Sequence, residues 1–274
     1  MSQNSQHPPL TRAELQALID QSPGPVRAYA RDYPAGWDTG RHRHRRAQLV
    51  FAIRGMMTVT TDDGLWVVPP LRAVWVPAEA DHALRMHEVV QLRTLYVDPG
   101  WAAALPERPR VLSVTPLLRE IILRLMRLPP EATLEEAGAR LVAVMLDELQ
   151  AGSEAPLHLP EPSDARLRRI CAALRRQPAD QRSLAVWGQL VGASQRTLAR
   201  RFQQETGMGF AAWRQQARLL AALPLLAEGQ AVTSVALDVG YENPSAFIAA
   251  FKRSFGVTPG RYLCASDRSE PLIG

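Results

Sequence analysis

The sequence predicts an α+β chain of two domains. An N-terminal antiparallel β-barrel with connector helices precedes an all-α C-terminal domain, in which two helix-turn-helix units are joined by a helix. Three observations predict this. Short β-rich segments separated by turn signals crowd residues 26–97. Beyond Pro99 the apolar period becomes helical. Within Ser183–Tyr262 a pattern of short helix, glycine turn and second helix occurs twice, 48 residues apart.

With 274 residues, 46% of them apolar, the chain can bury two ordinary cores. No run of 18 apolar residues is present, so no membrane-spanning helix is expected. The opening MSQNSQHPPLTRAELQ lacks a basic segment followed by an apolar one, so it does not read as a secretory signal, and the protein is expected in the cytoplasm. Two cysteines, Cys171 and Cys264, give neither a disulfide framework nor metal-ligand spacing. Net charge is +5, unevenly divided: residues 164–274 hold 15 basic against 8 acidic side chains, and residues 1–163 hold 17 against 19. A basic half beside a nearly neutral one fits a nucleic-acid module attached to something else.

Residues 1–22 read as a flexible lead with one short helix, Arg12–Asp20. Residues 23–99 read as the barrel, with strands VRAYARDY, LVFAI, MMTVTT, LWVV, AVWVP and VVQLRTLYV. Gly55 and Asp63-Gly64 separate consecutive strands, and Pro69-Pro70 and Pro77 end others. Trp66, Trp75 and Tyr96 alternate with apolar neighbours and read as core. Residues 100–151 form amphipathic connector helices. The second carries a stripe of Leu134, Leu141, Val144, Met145 and Leu149 that could face its own barrel or a second subunit. Residues 152–163, with three prolines and no period, read as a linker, and residues 265–274 as a tail.

Residues 164–264 form the helical domain. Asp164 caps a first helix with Leu167, Ile170, Cys171 and Leu174 inward. In the first unit Leu184, Trp187, Leu190 and Val191 precede Gly192, and Ser194 caps a helix with Leu198 and Phe202 inward. In the second, Val232, Val235, Ala236 and Val239 precede Gly240, and Asn243-Pro244 opens a helix with Phe247 and Phe251 inward. The intervening helix holds Pro224, which is expected to kink or shorten its last turns.

The stretch SVALDVGYENPSAFIAAFKRSFGVTPGRY, with about 100 residues around it, resembles the DNA-binding domain of AraC/XylS transcription regulators. The resemblance implies double-stranded DNA as a partner and the joining helix as a rigid spacer. It further implies a sensor domain with a small-molecule or metal effector, a homodimer through the connector helices, and RNA polymerase as a further partner. In the first recognition helix Arg196, Ala199 and Arg200 are expected to face base edges, with Gln195, Thr197 and Arg201 at phosphate or rim. In the second, Pro244, Ser245, Ile248 and Ala249 face outward, and Lys252 and Arg253 suit phosphate. Sequence choice is therefore expected to rest on the first unit.

The barrel region holds His42-x-His44-x3-Gln48 and, later, Glu79-x-x-His82. On one continuous strand His42, His44 and Gln48 share parity, and His82 on a second strand can join them. The pattern resembles the two motifs of cupin barrels, whose histidines and carboxylate hold a divalent metal. It departs in having Gln48 for the usual Glu and Glu79 for the usual Gly. Three readings stay open: a site for one divalent transition metal or ligand, solvated histidines in RHRHRR, and a catalytic centre. His7, His87 and His158 lack partners at useful spacing and read as surface residues. The leading function is an effector- or metal-responsive transcription regulator without enzymatic activity. The alternatives are a cupin-type oxygenase or isomerase with an appended helical domain, and an architectural DNA binder without an effector.

Overall fold

The strand Ala47–Arg54 (β2) is buried on both faces: Val50 and Ala52 enter one core, Leu49 and Phe51 another. A strand of this kind needs a layer on each side, and the computed structural model supplies both. It describes residues 12–22, 24–70, 72–127, 136–152 and 155–262. The helix Arg12–Asp20 (α1) is followed by β1 (Val26–Tyr33), β2, β3 (Met57–Thr61), β4 (Gly64–Val68), β5 (Arg72–Val76), β6 (His82–Met86), β7 (Val90–Val97) and β8 (Arg110–Ser113). Helices α2 (Pro116–Met126) and α3 (Glu136–Ala151) and a strand β9 (His158–Pro160) complete the N-terminal part.

Two antiparallel sheets, ordered β1-β7-β2-β5-β8 and β6-β3-β4-β9, lie over one shared core. Val50, Val74 and Leu92 from the first meet Val59, Trp66 and Leu84 from the second. The expected barrel is thus a sandwich of two sheets, not one continuous hydrogen-bonded cylinder. The outer face of the larger sheet, through Leu49, Phe51 and Leu95, packs on α2 and α3. Of the stripe expected on α3, Met145 and Leu149 are buried beside Val142, whereas Val144 is 42% exposed; Leu134 lies outside the described residues.

The stretch expected as a linker carries β9, which pairs with β4 through Leu65↔Leu159. Leu157 and Leu159, two residues apart, bury their side chains, and this period-two signal is too short to stand out among three prolines. The chain then enters α4 (Ala165–Arg176), α5 (Leu184–Val191), α6 (Gln195–Thr206), α7 (Phe210–Ala227), α8 (Val232–Asp238) and α9 (Pro244–Phe255). Pro224 removes one donor from α7, yet the helix continues to Ala227 and the Pro224 carbonyl accepts from the Glu228 N–H at 3.0 Å. Among the described residues no helix is long and apolar enough to cross a membrane.

Candidate nucleic-acid interface and histidine pocket

Each unit is made by the same local chemistry. Ser194 accepts from the Thr197 N–H and caps α6; Asn243 accepts from the Ala246 N–H and caps α9, with Pro244 in the first turn. Gly192 and Gly240 hold positive φ, +70° and +89°, at the two turns. The turns are stitched by matching backbone bonds, Ala193 N–H to Gly188 O and Tyr241 N–H to Ala236 O, both at 2.9 Å. The second turn is one residue longer, since Asn243 stands three places after Gly240 and Ser194 two after Gly192.

Inward positions follow expectation: Leu198, Phe202, Phe247 and Phe251 are fully buried. On α6, Gln195, Arg196, Ala199 and Arg200 are exposed, and among the described residues neither Arg196 nor Arg200 has an ion-pair partner. Thr197 is half-buried, its hydroxyl 2.9 Å from that of Ser194. Arg201 is engaged elsewhere, 3.2 Å from both Asp164 and Glu205. On α9, Ser245, Ala249, Lys252 and Arg253 are exposed, but Pro244 and Ile248 are half-buried, and Ile248 packs against the core. The cap at Asn243 fixes the helix phase, and that phase turns Ile248 towards the Phe247–Phe251 layer.

Three features of this interface carry no local signal. Gly188 is one: a Cβ built there would lie 2.4 Å from the Ala193 carbonyl. Arg218 is another: from α7 it donates to the Pro178 carbonyl at 3.0 Å and to Gln181 Oε1 at 3.1 Å. Gln181 in turn donates to the Gly240 carbonyl at 2.9 Å, so the spacer helix grips the second turn through the loop before α5. The third is Glu205, near the end of α6, which accepts from the Ser163 and Asp164 N–H groups at 2.9 Å. The Asp164 carboxyl is held well below the usual carboxylate range, first by the Arg166 side chain and then by the Arg166 and Leu167 N–H groups. Burial alone would raise Glu205, but bonds from Asp164, Ser163 and Arg201 outweigh it and lower it. With Trp213 Nε1–H on the Pro160 carbonyl at 2.8 Å, these contacts fasten α6 and α7 to the segment holding β9.

In the N-terminal part the structure brings His42, His44 and His82 together, one ring nitrogen of each within 4.8 Å of the others. It does so differently from the strand parity expected. β2 starts at Ala47, so His42 and His44 precede it, and His42 reaches His82 through an isolated bridge with two backbone bonds of 2.8 Å. Each Nδ1 points to a backbone carbonyl: Gly40 at 3.0 Å, Arg46 at 2.5 Å and Ala80 at 2.8 Å for the three in turn. A carbonyl only accepts, so each Nδ1 carries a proton, and Nε2 is the atom left to ligate a cation. Gln48 Oε1 lies 3.1 Å from His44 Nε2 and 3.0 Å from His82 Nε2. Its NH2 donates to Thr94 Oγ1 at 2.8 Å and Tyr96 OH at 3.2 Å. Because Thr94 gives its own proton to the Leu49 carbonyl, it can only accept from Gln48, which orients the amide.

Burial lowers the His44 pKa and keeps this ring neutral. Three imidazoles and one amide oxygen converging on a point form a donor set that fits a divalent first-row transition metal. A supporting detail is Glu79, the only non-glycine with positive φ among the described residues, at +60°, whose N–H donates to the His44 carbonyl at 3.0 Å. This left-handed position favours glycine, which accounts for the residue type expected there from cupins. His87 and His158 differ from expectation: His87 meets the Thr58 hydroxyl at 2.6 Å, and His158 stacks on Trp66 at 4.4 Å. His7 lies outside the described residues. Trp66 and Trp75 are core, as expected, and Tyr96 joins core and site.

Beside His42 and Gln48 opens a cavity of about 340 Å³. Tyr29, Tyr33, Trp37, Leu84 and Leu92 give it aromatic and aliphatic walls, and Leu15 and Ile19 of α1 border it. The Arg31 guanidinium lies over the rings of Tyr33, at 4.8 Å, and Trp37, at 5.9 Å. Burial pushes the Tyr33 hydroxyl up to about 12 and Tyr96 higher still, so both stay protonated at neutral pH. Its concave shape and mostly apolar lining with a few convergent polar groups are those a small-molecule site requires.

Two family profiles match the chain: "AraC-like ligand binding domain" over residues 24–208 and "Helix-turn-helix domain" over residues 187–264. The HTH-type transcriptional regulator NimR of Escherichia coli is 37% identical over 230 residues, covering 84% of each chain. The HTH-type transcriptional regulator RipA of Corynebacterium glutamicum is 37% identical over 103 residues, 38% of this chain and 31% of that one. Among solved structures, ToxT from Vibrio cholerae matches 87% of this chain and 97% of its own, with 11% identity and a TM-score of 0.38. With its ligand-binding sandwich and two helix-turn-helix units, this chain belongs to the AraC family of DNA-binding transcriptional regulators.

Proposed function

We propose that this regulator reads a DNA operator mainly through α6 and answers to a small molecule held in the sandwich pocket. The observation that carries the reading is the pair Arg196 and Arg200, one turn apart, exposed and without ion-pair partners among the described residues. Each guanidinium suits the O6/N7 edge of a guanine in the major groove. Gln195 and Thr197 flank them at the rim. Lys252 and Arg253 on α9 meet phosphate, while Ser245 and Ala249 offer the bases little beyond contact with a thymine methyl. Pro244 and Ile248 shape this helix from beneath. In this reading residues 164–264 are the DNA module, 23–99 the sensor with 100–151 packed on it, and 152–163 the connection between them.

The exposed side of α3, around Val144, serves a homodimer, so that two modules meet two half-sites. The protein works in the cytoplasm, meets RNA polymerase at its promoters, and catalyses no reaction. Footprinting on DNA upstream of its own gene tests the core of this: in each half-site, two adjacent major-groove segments on one face of the duplex should be protected. Absence of any sequence-specific protection would sink it. The histidine cluster favours a second reading, a cupin-type oxygenase. Oxygen uptake by metal-loaded protein with a phenolic substrate would support that one.

A further inference from the structure

The donor set at the histidine cluster has a consequence for what the pocket binds. All four groups, the Nε2 atoms of His42, His44 and His82 and the Oε1 of Gln48, are of a type that ligates a metal without bringing negative charge. A divalent ion held there keeps both of its charges, where a Glu at position 48 would have cancelled one. Of the neighbouring carboxylates, Asp20 acts on His44 but already accepts from the Arg45 N–H at 3.1 Å and the Gln16 amide at 2.8 Å. Arg31 adds another positive group to the same cavity, and Asp38, the carboxylate that lines it, is turned to the Gly40 N–H at 2.7 Å. Glu79 is exposed and stands 4.0 Å from Arg43. Uncompensated charge beside apolar walls is costly, and an anion that enters and binds the metal removes the cost. The walls beside the cluster, Tyr29, Tyr33 and Trp37, suit a flat body.

We propose that the pocket takes a small flat anion whose oxygen donor completes the coordination of a divalent transition metal held by His42, His44 and His82. This rests on the reading of the sandwich as the sensor and gives its ligand a chemical class. Gln48 is the residue that sets the class: its neutral amide leaves the charge that the ligand neutralises.

The test uses full-length protein, Co2+ as the metal, benzoate as the anion and benzamide as its neutral isostere. Wild type should bind one Co2+ with visible ligand-field bands. Benzoate should shift those bands and raise the melting temperature of the Co2+-loaded form, and benzamide should do neither. His82→Ala should lower Co2+ affinity by at least about tenfold. Should that buried substitution prevent folding, His42→Ala at the pocket edge should show the same loss. Gln48→Glu should move the two affinities in opposite directions, Co2+ up and benzoate down. Failure of wild type to bind Co2+, undiminished Co2+ affinity in the alanine variants relative to wild type, equal effects of benzoate and benzamide, or tighter benzoate binding by Gln48→Glu would each overturn the proposal. Metal-free protein is assayed for DNA binding in parallel. Intact binding with no Co2+ uptake refutes this inference alone, whereas loss of specific DNA binding strikes the regulator reading.

Discussion

The two helix-turn-helix units share a plan and differ where it counts. With their N-caps Ser194 and Asn243 aligned, Arg196 and Arg200 of α6 correspond to Ser245 and Ala249 of α9, and Gln203 and Gln204 to Lys252 and Arg253. The first helix thus presents cations at its N-terminal end, where base edges lie, and the second carries them towards its far end. The tethering differs as well. α6 is fastened by Glu205 and Arg201 to Ser163 and Asp164, and so to β9 of the sandwich, whereas α9 has no such bond among the described residues. On the proposed reading, specificity and connection to the sensor are concentrated in one unit, and the other acts as an anchor.

The largest expected effect comes from the turn itself. Gly188→Ala forces a Cβ to within 2.4 Å of the Ala193 carbonyl, a backbone atom that cannot swing aside. The cost should be about 1–3 kcal/mol, the usual range for overpacking, with loss of operator binding at temperatures wild type tolerates. The equivalent position in the second unit already holds a buried Ala236, accommodated in a turn one residue longer. Ala236→Gly should cost only about 0.5–1 kcal/mol through backbone entropy. Urea denaturation of both variants checks the contrast, and equal costs would mean that turn length has no bearing.

Comparable in free energy, but confined to one base pair, is the effect on base discrimination. Arg200→Ala should remove about 1–3 kcal/mol of preference at one base pair, seen as flattening of one position in a binding-site scan. Ala249→Ser, its counterpart, should leave the scan unchanged within about 0.5 kcal/mol. A scan in which both segments of the operator carry equal information would break the proposed division of labour. Lys252→Ala is expected to act on every sequence alike, lowering affinity and reducing the slope of log K against log salt by about 1.

What the sequence disclosed and what it hid follow a physical divide. Asn243-Pro244, Ser194, Gly192 and Gly240 were legible because caps and positive-φ turns are decided by the residue itself. The six main strands were legible because alternation and glycine turns repeat over many residues. β8 and β9 were missed, and β6 was read only as a strand carrying His82: they are short, and β9 in particular owes its existence to pairing with β4 rather than to any pattern of its own. The histidines were recognised as a set, but their convergence comes from a two-bond bridge between residues 42 and 82, which spacing cannot foretell. Gly188, Arg218 and the Arg201–Asp164–Glu205 contacts are tertiary facts without local signature. Arg201 shows the hazard most clearly, since an arginine on a recognition helix reads as a DNA contact until its acidic partners come into view.

That tether gives the smallest predicted effect, and its sign can be worked out. Asp164 and Glu205 both have folded-state pKa values lowered below their ordinary ones, Asp164 by the Arg166 side chain before its backbone bonds and Glu205 by bonds that outweigh its burial. A carboxyl with a lowered pKa stabilises the folded arrangement above its unfolded pKa, and loses that contribution as pH falls through the folded value. Between pH 6 and pH 8 the tether should therefore be constant, and the fluorescence of Trp213, whose indole is bonded to Pro160 beside it, should not change. Only in acid, below the ordinary carboxylate range, should the attachment loosen. Asp164→Asn removes the group that titrates lowest, so the remaining transition should move to higher pH, towards that of an unperturbed carboxylate. The corresponding acid transition should be absent from α9, whose cap is the uncharged Asn243. If protein carrying Asp164→Asn kept the wild-type acid profile, the first unit would be no more firmly bound to the sensor than the second.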